Sequence, residues 1–135
     1  MTDVERAKVQ RIIDANLNRL KEGLRLLEDL NRYLWDDAEL GYRFKALRHE
    51  VSKASDPSRL RFRDIRNDVQ KRSVETELQR ESLHNVVAAN FSRTQEASRV
   101  LEELFKLEDV EHAERFKNIR YELYDLEKIL QEKRF

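Results

Sequence analysis

The chain has 135 residues, enough for one domain with a sizeable core, and 40% of them are charged. Its 27 basic residues balance 27 acidic ones, so no net field favours nucleic acid or an anionic membrane as a partner. The absence of cysteine excludes disulfide bonds and thiolate metal sites.

Long helices are predicted throughout the chain, because it contains only two glycines and one proline, the residues that most often break a helix. The first helix begins at a cap on Thr2 or Asp3 and runs to about Leu34, with a narrow apolar stripe along one side. Residues 36–39 indicate a break with a capping box, and a second helix follows to about Ala54.

The next segment, residues 55–73, is predicted to be a basic connector. Ser55-Asp56-Pro57 ends the second helix. Basic residues then crowd the segment: Arg59, Arg61, Arg63, Arg66 and Lys71. A third helix is predicted from a cap at Ser73 to about Lys106, and a fourth from a cap at Asp109 to the C-terminus.

One pattern of polar and apolar residues occurs twice. Residues 15–30 and 89–104 both read A-N-x-x-R-x-x-E-[GA]-x-R-x-L-E-[DE]-L, and residues 44–51 match 116–123. The first copy runs from about residue 9 to 54 and the second from about 83 to 128, so one helix hairpin is duplicated. We therefore predict an all-α fold, a single helical domain over residues 1–135 in which two duplicated hairpins form an antiparallel bundle around the basic connector.

The duplication suggests a pseudo-twofold axis that brings the first and third helices face to face. Asn16 and Asn90 lie inside the apolar stripes, where an amide without a partner costs about 1–3 kcal/mol, so we expect each to bond the opposite repeat. The same axis gathers two further recurrent pairs, Arg19 with Arg93 and Glu22 with Glu96. Small residues at Gly23 and Ala97 let a backbone or a ligand approach closely. The alternative is a buried polar pair that only fixes helix register.

Charged residues recur at three-residue steps in both copies: Arg19, Glu22, Arg25, Glu28 and Arg93, Glu96, Arg99, Glu102. On one helix such steps are typical of a solvated ladder of ion pairs. Their recurrence favours a shared function instead. Arg48 and Arg120 recur as well, and with the other arginines they could converge on phosphate oxygens, which the guanidinium fork suits.

Four stretches resemble a known family: R-I-I-D-A-N-L-N-R-L-K-E-G-L-R-L-L-E-D at 11–29, F-K-A-L-R-H-E at 44–50, A-N-F-S-R-T-Q-E-A-S-R-V-L-E-E at 89–103 and R-Y-E-L-Y-D-L-E-K at 120–128. They are similar to the small bacterial hydroxymethylpyrimidine phosphate kinases of thiamin synthesis that are unrelated to the ribokinase-like ones. Members occur alone at about this length or fused ahead of thiamin phosphate synthase. The resemblance implies that ATP and Mg²⁺ convert 4-amino-5-hydroxymethyl-2-methylpyrimidine phosphate to its diphosphate, and that the free alcohol is not phosphorylated.

Roles for individual residues follow from this resemblance as hypotheses. The catalytic candidates are Arg19, Arg93, Arg63 and Asp64. The substrate-binding candidates are Asn16, Glu22, Asn90, Glu96, Arg48 and Arg120. The nucleotide-binding candidates are Arg63, Arg25 and Arg99, and the Mg²⁺ ligands would be Asp64 and Asp68.

Two other readings stay open. One is a non-enzymatic helical interaction or regulatory module associated with thiamin phosphate synthase. The other is a descendant of the kinase that has lost its activity, because Gln70 stands where the family usually has glycine. Exposed apolar residues at Tyr33, Trp35 and Phe135 leave room for a homodimer. No membrane span or signal peptide is recognisable, so we expect a cytoplasmic protein without a membrane or nucleic-acid partner.

Overall fold

The computed structural model describes residues 1–135 and contains four α-helices, Asp3–Asp29 (α1), Ala38–Ser52 (α2), Leu83–Phe105 (α3) and Val110–Arg134 (α4). Helix α1 packs on α2, α3 packs on α4, and the two hairpins meet mainly through α1 and α3. The predicted all-α bundle of two helix hairpins is confirmed. None of these helices is both long and apolar enough to cross a membrane.

Each α-helix begins where a side-chain oxygen accepts a hydrogen bond from the first turn. Thr2 forms a complete capping box with Glu5 in front of α1. The Asp37 carboxylate accepts from the backbone N–H of Leu40 at 3.0 Å, which starts α2. Ser82 and Asp109 cap α3 and α4 in the same way.

The hydrophobic core is one cluster of 21 buried residues, contributed by all four helices and by Ala54 just after α2. Its largest fully buried side chains are four phenylalanines, Phe44, Phe91, Phe105 and Phe116. Phe105 and Phe116 stack with ring centroids 5.4 Å apart and so join α3 to α4. Phe44 and Phe91 lie 5.9 Å apart and join the two hairpins.

The end of the first helix differs from its prediction in detail. The helix continues to Leu34, but its last turn, Leu30–Leu34, is π-helical. Buried Asn31 donates a side-chain hydrogen bond to the carbonyl of Leu27 at 2.8 Å. The chain then reverses through Asp36, whose φ of 49° is positive, and α2 follows.

The third helix begins nine residues later than predicted, because its cap is Ser82 and the prediction of a cap at Ser73 was wrong. Residues 55–82 instead hold two short 3₁₀ helices, Pro57–Phe62 and Glu75–Leu78. Every residue from 65 to 85 is exposed, so this stretch has no apolar face to bury. A short helix without such a face is marginal in water.

The first half of the connector is fastened to the bundle by arginines. Arg59 is buried; its Nη1 donates to the carbonyl of Ala54 at 2.6 Å and its Nε donates to Gln10 at 2.9 Å. From α1, Arg11 donates to the carbonyl of Asp64 at 2.7 Å. These contacts hold the basic segment along α1.

Candidate functional site

A cleft of about 550 Å³ lies between α1 and α3, within the usual range for small-molecule sites. We call it the α1–α3 cleft. Equivalent residues of the two copies line it in pairs: Asn16 and Asn90, Arg19 and Arg93, Glu22 and Glu96, Gly23 and Ala97, Leu26 and Val100. The remaining lining residue, Glu77, comes from the connector and has no counterpart.

The two helices lie close together at Gly23. A Cβ atom there would lie 2.5 Å from Thr94 Cγ2, well inside van der Waals contact. Thr94 is fully buried, and its hydroxyl lies 2.9 Å from the carbonyl oxygen of Asn90 and 3.0 Å from that of Phe91. Glycine is therefore required here for packing, and it lets the polar residues of the two helices share one cleft.

The two asparagines satisfy their amides within their own helices. Asn16 Nδ2 donates to the carbonyl of Ile12 at 3.0 Å, and Asn90 Nδ2 donates to that of Val86 at 2.8 Å. The prediction that each would bond the opposite repeat was wrong, because a carbonyl four residues back is always within reach on a helix. Asn90 lines the cleft, and its side-chain oxygen accepts no hydrogen bond.

The charged residues that recur at three-residue steps divide into two groups with different contacts. The first group lies in the cleft, where Arg19, Glu22, Arg93 and Glu96 form no ion pair with one another. Arg19 makes one long hydrogen bond, 3.4 Å, to Asn16 Oδ1. Arg93 makes none. Two guanidinium groups therefore remain available to an anion in the cleft.

The second group forms buried clamps inside each hairpin. In the first, Glu28 accepts hydrogen bonds from Arg48 at 3.1 Å and from Arg25 at 3.0 Å. In the second, Glu102 accepts from Arg120 at 2.9 Å and 3.2 Å, and Arg99 lies 3.3 Å away. The structure thus places all four of these arginines on carboxylates and outside the α1–α3 cleft. Arg25 and Arg48 line a neighbouring depression of about 380 Å³, which shares Glu22 with the cleft.

The connector candidates engage local partners. Arg63 donates to both carboxylate oxygens of Asp14, at 2.7 Å and 2.9 Å. These hydrogen bonds and the Asp14 charge, with Glu22 adding to them, raise the pKa of Arg63. The pKa of Asp64 is lowered by hydrogen bonds from the side chain and backbone of Asn67.

The predicted Mg²⁺ ligands, Asp64 and Asp68, each belong to a separate turn. Asp68 accepts from the backbone N–H of Gln70 at 3.0 Å, and Asp64 accepts from Asn67. No group of three or more His, Cys, Asp or Glu side chains in residues 1–135 is arranged to hold a metal ion. Gln70 itself has no positive φ, so its backbone conformation does not require glycine.

A depression of about 720 Å³ between α2 and α4 is less suited to a polyanion, because it is lined by Glu50, Glu111, Glu114 and Glu122. Only Arg115 supplies a positive charge there, and its Nη1 already lies 2.7 Å from Glu50. A groove of that charge repels phosphate.

Comparison with known proteins assigns the family. The sequence model of the ThiD2 family matches residues 11–129, which is most of the chain. The chain belongs to the ThiD2 family. No solved structure matches it.

Curated relatives of this ThiD2 protein are thiamine-phosphate synthases. The protein from Nostoc punctiforme is 41% identical over 120 residues, which is 88% of this chain and 34% of the relative. Those from Thermosynechococcus vestitus and Rhodopirellula baltica are each 39% identical, over 93% and 92% of this chain and 36% and 34% of their own lengths. The chain spans about a third of the length of the relatives it matches.

Two contacts at the α1–α3 cleft, that of the lining residue Glu77 and that of Thr94 with Gly23, have no signal in the sequence repeat. Glu77 lies on an exposed segment without periodicity, so nothing marks it as a neighbour of α1 or α3. Thr94 stands where the first copy has Leu20, and its contact with Gly23 depends on how the helices cross. Only the three-dimensional arrangement reveals either contact.

Proposed function

We propose that this ThiD2 protein transfers the γ-phosphoryl group of ATP to 4-amino-5-hydroxymethyl-2-methylpyrimidine phosphate. The observation that carries the proposal is the pair Arg19 and Arg93, two arginines at equivalent positions that share a cleft and have no carboxylate partner. Family membership and the thiamine-phosphate synthases among the relatives support thiamin biosynthesis as the setting.

The reaction needs little covalent chemistry from the protein. A phosphate oxygen of the pyrimidine substrate attacks the γ-phosphorus of ATP, and the bond from that phosphorus to the β,γ-bridging oxygen breaks. ADP leaves with the electron pair, and a new P–O–P bond completes the diphosphate. Because the attacking phosphate is largely dianionic at neutral pH, no strong general base is required. Positioning and charge neutralisation provide the catalysis.

The cleft residues suit that task. Arg19 and Arg93 bind phosphate oxygens and reduce the repulsion between the two substrates. Glu22, Glu96 and the free oxygen of Asn90 accept hydrogen bonds from the pyrimidine or hold the arginines in position. The free alcohol is refused because it lacks the phosphate that these arginines bind and would need a base to deprotonate it.

Magnesium is assigned to the nucleotide in this proposal. Asp64 and Asp68 do not fit a resident Mg²⁺ site, since hydrogen bonds within their own turns engage their carboxylates. The ion would neutralise phosphate charge when it arrives with ATP. The arginines that pair with Glu28, Glu102 and Asp14 are assigned to the scaffold and not to phosphate binding.

The decisive assay incubates the purified protein with Mg-ATP and the pyrimidine monophosphate and follows ADP and diphosphate. We expect turnover of the monophosphate and none of the free alcohol in a parallel reaction. A folded protein that turns over neither compound contradicts the proposal.

Variants of the paired arginines test whether these two side chains take part in the reaction. Arg19→Ala and Arg93→Ala should each lower kcat/KM by about 10- to 100-fold, the loss expected from one hydrogen bond to a charged group. Thermal unfolding should stay near that of the wild type, since neither side chain makes an ion pair. Arg6→Ala, an exposed arginine at the start of α1, is the matched control and should retain full activity. Unchanged turnover in either cleft variant argues against the assigned roles.

The second candidate function is a non-enzymatic module that docks on thiamin phosphate synthase. The lengths of the relatives favour this candidate, because the region that matches this chain makes up only about a third of each relative. It predicts no binding of Mg-ATP by calorimetry and predicts that Asn16→Leu stabilises the bundle without loss of function. The kinase predicts that Asn16→Leu abolishes turnover while the fold is retained. A pull-down with the synthase tests the docking directly.

A further inference from the structure

The two walls of the α1–α3 cleft carry almost the same chemistry. Each wall provides one asparagine, one arginine, one glutamate, one small residue and one aliphatic residue. A site of this kind offers an asymmetric ligand two orientations of similar energy. The substrates of the proposed reaction are asymmetric, so something in the site must distinguish their two ends.

Glu77 is the lining residue that breaks this symmetry. It lies on the 3₁₀ helix Glu75–Leu78, and its Oε2 accepts a 3.3 Å hydrogen bond from the backbone N–H of Val74. Its other carboxylate oxygen accepts none. Because every residue from 65 to 85 is exposed, hydrophobic burial does not account for the position of this side chain beside the cleft.

The charge of the cleft restricts what Glu77 can contact. With Glu77 the cleft holds three carboxylates against two guanidinium groups. A carboxylate that faced a phosphate would repel it, so a phosphate-bearing ligand gains only if Glu77 meets a hydrogen-bond donor or a cation instead. The amino group of an aminopyrimidine is such a donor.

We propose that Glu77 determines substrate orientation and specificity: its carboxylate accepts an N–H hydrogen bond from the amino group of the pyrimidine. The ring then lies toward the connector, and the substrate phosphate points toward Arg19 and Arg93. This inference rests on the proposed kinase reaction. It also predicts that the enzyme discriminates against pyrimidine phosphates that lack the amino group.

The test combines a change in the protein with a change in the substrate and compares their effects on kcat/KM. Wild type, Glu77→Ala and Glu77→Gln are each assayed with the aminopyrimidine phosphate and with the analogue that carries hydrogen in place of the amino group. We expect the wild type to lose about tenfold or more in kcat/KM on the analogue, the value of one charged hydrogen bond. Glu77→Ala should lose a similar factor on the amino substrate and nothing further on the analogue. The KM for Mg-ATP should not change.

Controls separate this role from others. Glu75→Gln, on the same 3₁₀ helix but outside the cleft lining, should behave as the wild type. If Glu77→Ala lowered kcat/KM by the same factor on the analogue as on the amino substrate, the two changes would act independently and the proposal would be overturned. So would a raised Mg²⁺ requirement in Glu77→Ala, which would make the residue a contact of the ion.

Failure of the reaction itself is recognisable, because the wild type would then turn over neither substrate. In that case calorimetric titration of wild type and Glu77→Ala with the two pyrimidine phosphates measures the same coupling as affinities. Equal affinity of both compounds for the wild type, or discrimination that survives in Glu77→Ala, would overturn the role of Glu77.

Discussion

Burial decides what each charged residue of the repeated motif does. Glu28 and Glu102 are buried, and each has recruited an arginine from the next helix of its hairpin. Glu22 and Glu96, six positions earlier, are exposed and lie in the cleft without such a partner. A buried carboxylate must be paired, whereas one at the cleft can stay free for a ligand.

Gly23→Ala tests the close contact between α1 and α3. The added methyl group would overlap Thr94 Cγ2, and Thr94 cannot turn away easily because it is buried and hydrogen-bonded. Overpacking of this kind costs about 1–3 kcal/mol, which exceeds the ~1 kcal/mol that alanine gains over glycine in a helix. We expect the free energy of unfolding to fall by about 1–2 kcal/mol in urea titrations.

A second substitution identifies the cause of that loss. Thr94→Ser removes the Cγ2 atom and keeps the hydroxyl that bonds to the backbone of α3. Added to Gly23→Ala, it should restore part of the lost stability. A double variant that is no more stable than Gly23→Ala would show that the contact is not the source.

At the level of elements, the sequence predicts helices wherever a cap and a periodic apolar face coincide. Of the two caps predicted for the first helix, Thr2 or Asp3, the structure has Thr2. Asp109 caps α4 as predicted, and α2 is capped within the predicted break at 36–39. The start of α3 was misplaced because Ser73 has the chemistry of a cap but no apolar face follows it. A local cap signal does not make a helix unless tertiary packing supports it.

The candidate site was predictable to the extent that it follows from the repeat. The repeat predicts that equivalent positions of the first and third helices lie near one another. In the structure the asparagine, arginine and glutamate pairs line one cleft. The partners of Arg48 and Arg120 were not predictable, since the helix rotation that brings Glu28 and Glu102 to them depends on core packing. Glu77 was missed because irregular connectors carry no periodic signal.

The buried clamps are predicted to stabilise each hairpin. In Glu102→Gln, Arg120 loses its charged partner while its side chain stays only 11% exposed. Leaving a buried charge unpaired is strongly destabilising, and because Tyr124 remains as a partner at 3.2 Å we expect a loss of about 2–3 kcal/mol. The neighbouring Glu103→Gln removes only surface pairs and should change stability by less than about 0.5 kcal/mol. Equal effects of the two changes in chemical denaturation would contradict the clamp.

For the whole molecule, the position of the cleft follows from how the hairpins join. They meet mainly along α1 and α3, while α2 and α4 lie to the outside. A cleft between the two inner helices is therefore built from both copies at once. Any ligand bound there would hold the two hairpins together and should raise the unfolding temperature.

Carboxyl groups that interact with hydrogen-bond donors and cations in the folded state make the stability of the whole molecule depend on pH. Five carboxyl groups have pKa values lowered from 3.8 for aspartate or 4.5 for glutamate: Asp37, Glu50, Asp56, Asp64 and Glu103. Their native-state interactions stabilise the protein above those values and are lost as pH falls through the lowered ones. We expect the unfolding temperature to be level near neutrality and to fall steeply below about pH 4.

Asp37→Asn isolates one of these groups. Burial by itself raises the pKa of Asp37, but hydrogen bonds from Lys133 and Leu40 and the charges of Lys133 and Arg134 outweigh it and lower the pKa overall. Asparagine caps a helix as well as aspartate does, so the change removes the charge and keeps the start of α2. The variant should be less stable than the wild type at pH 7, and the difference should shrink as the pH falls toward 3, because protonation then removes the same charge from the wild type. Unfolding temperatures that differ by a constant amount from pH 7 to pH 3 would show that this ion pair is not the origin of the acid sensitivity.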